Sequence, residues 1–491
     1  MRRERRKSPH FITNVKASQK KYKHITDRIF HFQLNFLNCT IRFSFIEPVN
    51  RNSLMKSAPL LQSEHQLVTQ GLDSREQCEA CDDEQIFDHP TEANSSFFHV
   101  FFILLNSAIG SGTLLVPYCY TSGIGTALII SAIFAFVALS AMNFLIYSST
   151  KIKRYDYHEM FEYCFGKKKV WILNIMIFLV QFGSSMIYSH WNGRLLNYLI
   201  GSKHWLFGSN EFYVYAVTAL IAFPLTLFRS ISALGKFTML SICFIVVLIT
   251  HAFYWFIKDK SQYGFDPRNE LRFFDFKKYN VIITALSVNS MAYNCHINLF
   301  SCLQHLKNST IRRGKRFCYS VIIVAFILYN LFGLFTYLDL FNTLGNGSSL
   351  EYYKGKYWLT IFTICGVIFV LIISTPLVIW AARNSINMLI WKDKPMTNLR
   401  WICLGGGMCL LGSFLAASSD NVLLFFNVVG GLFTPTIIFL IPAIFYIKII
   451  KNGPLIKRIN AYFVAIFTIC AIAACTYESV KQIYETIKGD E

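Results

Sequence analysis

Charge is what this chain has least of. Only 15% of its 491 residues are Asp, Glu, Lys or Arg, where a soluble domain carries about 25%. With 54% hydrophobic residues, including 46 Phe and 25 Tyr, it holds more apolar surface than folding in water would hide. That excludes a soluble enzyme, a disordered chain and a secreted disulfide scaffold. Acids are scarcest within the long apolar runs, where only Asp339 and Glu478 come near, each close to the end of its run. No Ser/His/Asp or Cys/His set falls at one depth, and no HExxH or Walker motif is present. The groups for acid–base or nucleophilic chemistry are missing. The 14 Cys give no disulfide framework: eleven lie in or beside apolar runs, and Cys39, Cys78 and Cys81 precede them all. A single Cys78-x-x-Cys81 with no second pair is a weak metal signal.

What is present is a series of membrane-length runs. A hydrocarbon core of about 30 Å takes roughly 20 apolar residues per helix. Eleven stretches qualify: 97–121, 124–149, 170–200, 212–228, 237–257, 280–306, 318–339, 357–382, 399–417, 422–447 and 461–483. The expected fold class is an all-α integral membrane protein with eleven transmembrane helices. Residues 1–95 form a tail expected to lack fixed structure, 96–483 the transmembrane domain, and 484–491 a short carboxyl-terminal tail. Connections on alternate sides hold 21 Lys/Arg against 10, which places the amino terminus in the cytoplasm and the carboxyl terminus outside.

The net charge of +19 is therefore expected at the inner membrane face, not on nucleic acid. Within the tail, residues 1–56 carry a net +10 and residues 57–96 a net −8. No signal-peptide core or cleavage site is expected there. The cluster Arg2, Arg3, Arg5, Arg6 and Lys7 reads as part of a solvated tail or as a lipid contact. Asn346-Gly347-Ser348 is a glycosylation sequon in an outward connection, although Asn94 and Asn308 open sequons on the inward side.

Two runs carry polar middles. The first contains Asn106-Ser107-Ala108-Ile109-Gly110-Ser111-Gly112-Thr113, with Pro117 five residues after Gly112. Gly and Ser at such density are poor helix material. The expected result is a broken helix whose second half starts near Gly112. Its free N–H groups and positive dipole end would meet an anion at mid-membrane; close helix packing is the competing reading. The sixth run holds Ser287, Asn289, Ser290, Asn294, Cys295, His296 and Asn298, too polar to face lipid. It serves either as interhelical hydrogen-bonding glue or as a second interruption; with no Gly or Pro there, unwinding over 290–295 has to rest on side-chain competition.

Three further patches have two readings each. Gln181, Ser184, Ser185, Tyr188, Ser189 and His190 give the third run a polar face, for substrate or for packing. Ser374-Thr375-Pro376 in the eighth run supplies hydroxyls and a freed carbonyl suited to a hard monovalent cation, or simply a kink. Gly430-Gly431 and Pro435 in the tenth permit close backbone approach. Arg194, His190 and His251 read as satisfied or interfacial residues. With no buried acid to meet a fixed cation, the favoured solute is a small zwitterion. Its carboxylate would lie at the N–H groups of Gly110–Thr113 and its ammonium at carbonyls of the sixth run.

At these residues the chain resembles the amino acid/auxin permease family, which includes neutral amino acid, vacuolar and vesicular transporters. The likeness rests on Asn106 through the Gly-x-Gly to Pro117-Tyr118. It extends to Asn294-Cys-His-Ile-Asn298 with Leu306-Lys-Asn-Ser-Thr310, to Thr375-Pro376 with Arg383, and to Ser419-Asp420, Gly430-Gly431 and Pro442-Ala443. It covers about residues 95–480 and not the tail. The resemblance implies the fold of the bacterial leucine transporter: a 5+5 inverted repeat, helices 1 and 6 broken, and alternating access to a central site. It implies secondary active symport of small neutral amino acids, no cofactor, and Na⁺ or H⁺ as coupling ion. Asn106 and Thr375 match positions that hold Na⁺ in sodium-coupled members. His99 lies eleven residues before Gly110, unlike the first-helix His of the proton-coupled branch. The substrate residues expected on this basis are Asn106, Ser107, Gly110, Ser111, Gly112, Thr113, Ser290, Asn294 and His296. The expected partners are an amino acid and membrane lipid, in the plasma membrane or a vacuolar or lysosomal membrane. An amino acid sensor on the same scaffold remains an equal fit to one binding site, and a membrane-embedded enzyme a poorer one.

Overall fold

The computed structural model describes residues 86, 95–110, 112–201, 209–229, 235–263, 272–344, 348–353, 357–392, 394–418 and 422–489. Most of the tail, Ser111, the sequon residue Asn346 and Ser419-Asp420 lie outside the described residues. The described chain is helical, with one isolated β-bridge between Ser95 and Leu306.

Besides the short helix Tyr157–Phe165, the helices are α1 (Phe97–Ala108), α2 (Gly112–Cys119), α3 (Ile124–Ile152), α4 (Val170–Ile200), α5 (Gly235–Tyr263), α6 (Tyr279–Ala292), α7 (Leu299–His305), α8 (Ile311–Leu340), α9 (Trp358–Trp391), α10 (Asn398–Ala417) and α11 (Leu455–Gly489). Residues 210–226 are helical with a π turn at Thr218–Ala222. Residues 422–449 are helical with π turns over Phe426–Phe433 and Thr436–Leu440. Eight helices among the described residues are long and apolar enough to cross a bilayer; α1 and α2, bent by 60° at their break, make a ninth if taken as one span. Of the eleven expected spans, the two outside that count are 212–228, here short and interrupted, and 280–306, here divided between α6 and α7.

Polar residues set several boundaries. Thr310 and Thr397 cap α8 and α10, their hydroxyls accepting from the Arg313 and Arg400 N–H groups. Burial then sorts the helices. The segment 426–449 is almost wholly buried, and α4 and α9 are largely so. Helix α10 instead leaves Leu399, Leu410, Leu411 and Phe414 exposed, an apolar face that suits lipid.

A connection closes over the end of the first interrupted helix. The Asp275 N–H donates to the Ser122 carbonyl (2.9 Å), Ile124 to Arg272 (3.0 Å) and Gly125 to Phe273 (2.8 Å). Arg272 Nη1 meets Asp275 Oδ2 at 2.6 Å. That hydrogen bond holds the Asp275 carboxyl below its usual range, outweighing the opposing effect of burial.

The site described below is built wholly from the compact unit Gln66–Cys475.

Candidate functional site

The first interruption begins where α1 stops at Ala108. The Ile109 N–H still reaches back to Leu105 (2.8 Å), but the Gly110 N–H turns to the Ala108 carbonyl (2.9 Å) and α2 restarts at Gly112. Close approach explains both glycines. A Cβ on Gly112 would lie 3.1 Å from the backbone N and Cα of Ala292, and one on Gly110 2.6 Å from the Tyr188 hydroxyl oxygen. Gly112 thus lets the start of α2 rest on the end of α6.

The second interruption is shorter than the polar run suggested. Helix α6 continues through Ser290 to Ala292, then yields at residues 293–295 to a 3₁₀ turn, His296–Asn298, and α7. Ser290 is still helical, its hydroxyl turned back to donate to the Leu286 carbonyl (2.9 Å). The Asn289 amide does the same to Ala285 (2.8 Å).

Two contacts join the interruptions. The Asn298 amide donates to the Ser107 hydroxyl at 2.7 Å. The Tyr329 hydroxyl of α8 lies 2.9 Å from the carbonyl of Ala108 and 2.8 Å from that of Ala292, the last residues of α1 and α6. One phenol serves a carbonyl end of each broken helix, where orphaned acceptors in a buried setting would each be costly.

Beside this junction is a cavity of about 20 Å³, room for about one water molecule. Asn106, Ser107 and Gly110 form one wall, and Gln181, Ser184 and Tyr188 of α4 another. Asn294 and Asn298 come from the second interruption and Ser374 from α9, with Met291, Leu377 and Val378 supplying apolar surface. Every lining residue among the described ones is uncharged. Asn106 is 2% exposed, and neither its Oδ1 nor its Nδ2 has a hydrogen-bond partner among the described residues. Leaving a buried amide unpaired costs on the order of 1–3 kcal/mol, so its acceptor and donor are available to a ligand. The walls present dipoles without net charge, a setting for a zwitterion or a monovalent cation.

Of the residues expected from sequence, the structure brings Asn106, Ser107, Gly110 and Asn294 together in this cavity. Gly112 faces Ala292 instead, and Thr113 is buried in the next position without lining the cavity. His296 is packed away from it: Nε2 lies 3.0 Å from the Ala138 carbonyl and the ring stands edge-on to Phe439. Thr375 Oγ1 donates to Leu371 (2.9 Å), and its neighbour Ser374 takes the lining position. The amide hydrogens expected to meet a carboxylate are partly engaged, since Thr113 N–H donates to Gly110 (3.2 Å) and Gly110 N–H to Ala108. A carboxylate has to compete with those bonds. Tyr329 went unnoticed in the sequence. Its signal was the adjacent pair Tyr329-Asn330 inside an apolar run, and Asn330 is likewise used, accepting from the Tyr120 hydroxyl (2.7 Å) and donating to Ser131 (3.0 Å). Arg194 is satisfied by Glu351 through two bonds of 3.1 and 2.7 Å.

Comparison with known proteins agrees with this geometry. The profile of a family described as transmembrane amino acid transporter protein matches residues 93–484. A sodium-coupled neutral amino acid symporter 2 of Danio rerio is 22% identical over 400 residues, 75% of this chain and 79% of the relative. Among solved structures, MhsT in complex with L-phenylalanine superposes with a TM-score of 0.58 at 14% identity, over 79% of this chain and 99% of that one; at that identity the likeness concerns the fold. Because the matched region spans most of the chain and contains both interruptions, this chain belongs to the transmembrane amino acid transporter protein family.

Proposed function

We propose that this protein is a secondary active transporter that carries small neutral amino acids across a membrane by ion-coupled alternating access. The observation that carries the proposal is the buried, unpaired Asn106 amide in a neutral polar cavity between two helix interruptions. Asn106, Ser107, Gly110, Ser111 and Asn294 form the substrate site in this reading, with Gln181, Ser184, Tyr188, Asn298 and Ser374 completing it. Gly112 and Thr113 shape it. Ser290 and His296 belong to the scaffold. The scaffold itself is eleven spans in a 5+5 inverted repeat, with α1/α2 and α6/α7 as its broken first and sixth helices. Membership in a transporter family sets aside the membrane-embedded enzyme.

Na⁺ is the favoured coupling ion. The support is the relative's sodium coupling, the Asn106 amide oxygen, and the carbonyl of Ile372, which the missing N–H of Pro376 leaves without its helical partner. Thr375 contributes only by turning its hydroxyl from Leu371. A cavity with room for about one water is too small for an amino acid, so loading requires its walls to part. The amino terminus is cytoplasmic in this scheme, and protease added outside intact cells should leave residues 1–85 uncut.

The test is uptake by the purified chain in liposomes, offered a panel of labelled amino acids with an imposed Na⁺ or proton gradient. Accumulation of neutral amino acids that needs inward Na⁺ supports the reading. Accumulation indifferent to Na⁺ and abolished by a protonophore moves the coupling to protons. Saturable binding with no accumulation makes the protein a sensor and ends the transporter reading.

A further inference from the structure

Among the described residues the segment 422–449 lines no part of the cavity, yet it braces two of the cavity's walls. Its Gly430-Gly431 and Pro435, which the substrate site does not use, fall within and just after the π turn Phe426–Phe433. On the α4 side, Val429 fills the space that Gly183 leaves open: a Cβ on Gly183 would lie 2.5 Å from Val429 Cγ2. Gly183 stands between the lining residues Gln181 and Ser184. On the α6 side the small residue belongs to the π turn. A Cβ on Gly430 would lie 2.5 Å from Met291 Cγ and 2.6 Å from the Ser287 carbonyl oxygen. Only bare backbone fits there.

Met291 is the lining residue that this contact holds. It is buried in the last turn of α6. A methionine is by itself a poor wall, because three rotatable bonds and a soft thioether let it fill any space left to it. Here it is pinned twice. Gly430 leaves no slack at Cγ, and the Thr434 hydroxyl lies 3.2 Å from Sδ. That hydroxyl is fixed in turn, 2.9 Å from the Val429 carbonyl, which also accepts the Thr434 N–H.

We propose that Met291 sets the largest substrate side chain the cavity accepts, and that Gly430 and Thr434 are positioning residues that keep it in place. The proposal rests on the amino acid reading of the cavity. Asn106, Ser107 and Asn294 offer amides and a hydroxyl to the charged ends of a zwitterion, and the apolar surface left for its side chain is Met291 with Leu377 and Val378. A fixed wall excludes by size: in a packed apolar pocket one surplus methylene costs on the order of ten-fold in selection. An unpinned methionine would yield and blur that selection. The π turn thus governs, without touching substrate, how sharply short side chains are separated from long ones.

The experiment measures affinity for L-alanine and L-leucine by ligand-dependent melting of the purified full-length chain in Na⁺, and uptake of both by liposomes with an inward Na⁺ gradient. Wild type should favour alanine by about ten-fold or more. Met291→Ala should bind leucine about ten-fold tighter than wild type does, with alanine affinity little changed; its melting response to alanine shows that it folds. Thr434→Val keeps nearly the same shape without the hydroxyl and should narrow the preference by about three-fold, less than a whole methylene's effect. Thr434→Ser keeps the hydroxyl and should match wild type. Thr250→Val removes a hydroxyl that donates to the Val246 carbonyl within α5 (2.9 Å) and should leave the preference unchanged. An unchanged preference in Met291→Ala overturns the proposal, as does a wild type that binds both amino acids equally. The same preference in Thr434→Val and Thr434→Ser overturns the positioning role. The expected binding ratios without accumulation end the transporter reading and support this one; no melting response to either amino acid ends both.

Discussion

The Tyr329 hydroxyl lies 2.9 Å from the Ala108 carbonyl at the end of α1 and 2.8 Å from the Ala292 carbonyl at the end of α6. Any movement that separates the two interrupted helices must break one of these contacts. Tyr329→Phe keeps the ring and removes both. Uptake by this variant should fall at least ten-fold. Its thermal stability should drop by the equivalent of about 1–2 kcal/mol, the cost of a buried acceptor left unpaired. Near-normal uptake would show that the bridge is incidental.

Gly112 packs on the backbone of Ala292, where a Cβ would stand 3.1 Å from N and Cα. Backbone cannot swing aside as a side-chain tip can. Gly112→Val should therefore abolish uptake while a folded protein still reaches the membrane. Gly110→Ala should be milder, because its Cβ meets the Tyr188 hydroxyl oxygen, which can rotate away. The two variants, assayed side by side for surface protein and uptake, should rank in that order.

These residues also mark how far the sequence could be read. The first interruption was legible because Gly110 and Gly112 sit inside an otherwise apolar run, and the fold class followed from run length and charge. The second was legible only in outline. Ser290 looked like a helix breaker, yet its hydroxyl bonds within its own helix, and the break falls three residues later. Composition does not say whether a Ser turns back or outward. Tyr329 was invisible for a different reason. It acts across a sequence separation of 221 residues from Ala108, and no local pattern encodes a partner that far away. Thr375 and Ser374 show the same limit at finer grain, since one residue of helix rotation decides which hydroxyl lines the cavity.

Arg194 and Glu351 form a two-pronged, half-buried ion pair between α4 and the turn Ser349–Tyr352. Exposed pairs couple by about 0.2–1 kcal/mol; paired geometry and partial burial place this one at the upper end. A double-mutant cycle with Arg194→Gln and Glu351→Gln, read by thermal denaturation, should give a coupling of roughly 1 kcal/mol. A value near zero would make the contact ornamental.

Asp275 is held ionised by Arg272. A carboxyl lowered in the folded state adds stability that is present above the unfolded pKa, about 3.9, and lost as pH falls through the folded value. Wild type should therefore lose more stability than Asp275→Asn between pH 5 and pH 3, windows set by that reference value. Parallel melting curves for the two proteins over this range would refute the role given to the ion pair.

Asn106 is where the account is most exposed to test, because its unpaired amide is what makes the cavity a binding site. The direct measurement is Na⁺-gradient-driven accumulation of a labelled neutral amino acid by wild type and Asn106→Ala in matched liposomes, with melting temperatures to confirm folding. The expected result is accumulation by wild type and a loss of at least ten-fold in a variant that is as stable or more so, since an unpaired buried amide has been removed. Undiminished accumulation by Asn106→Ala would contradict it.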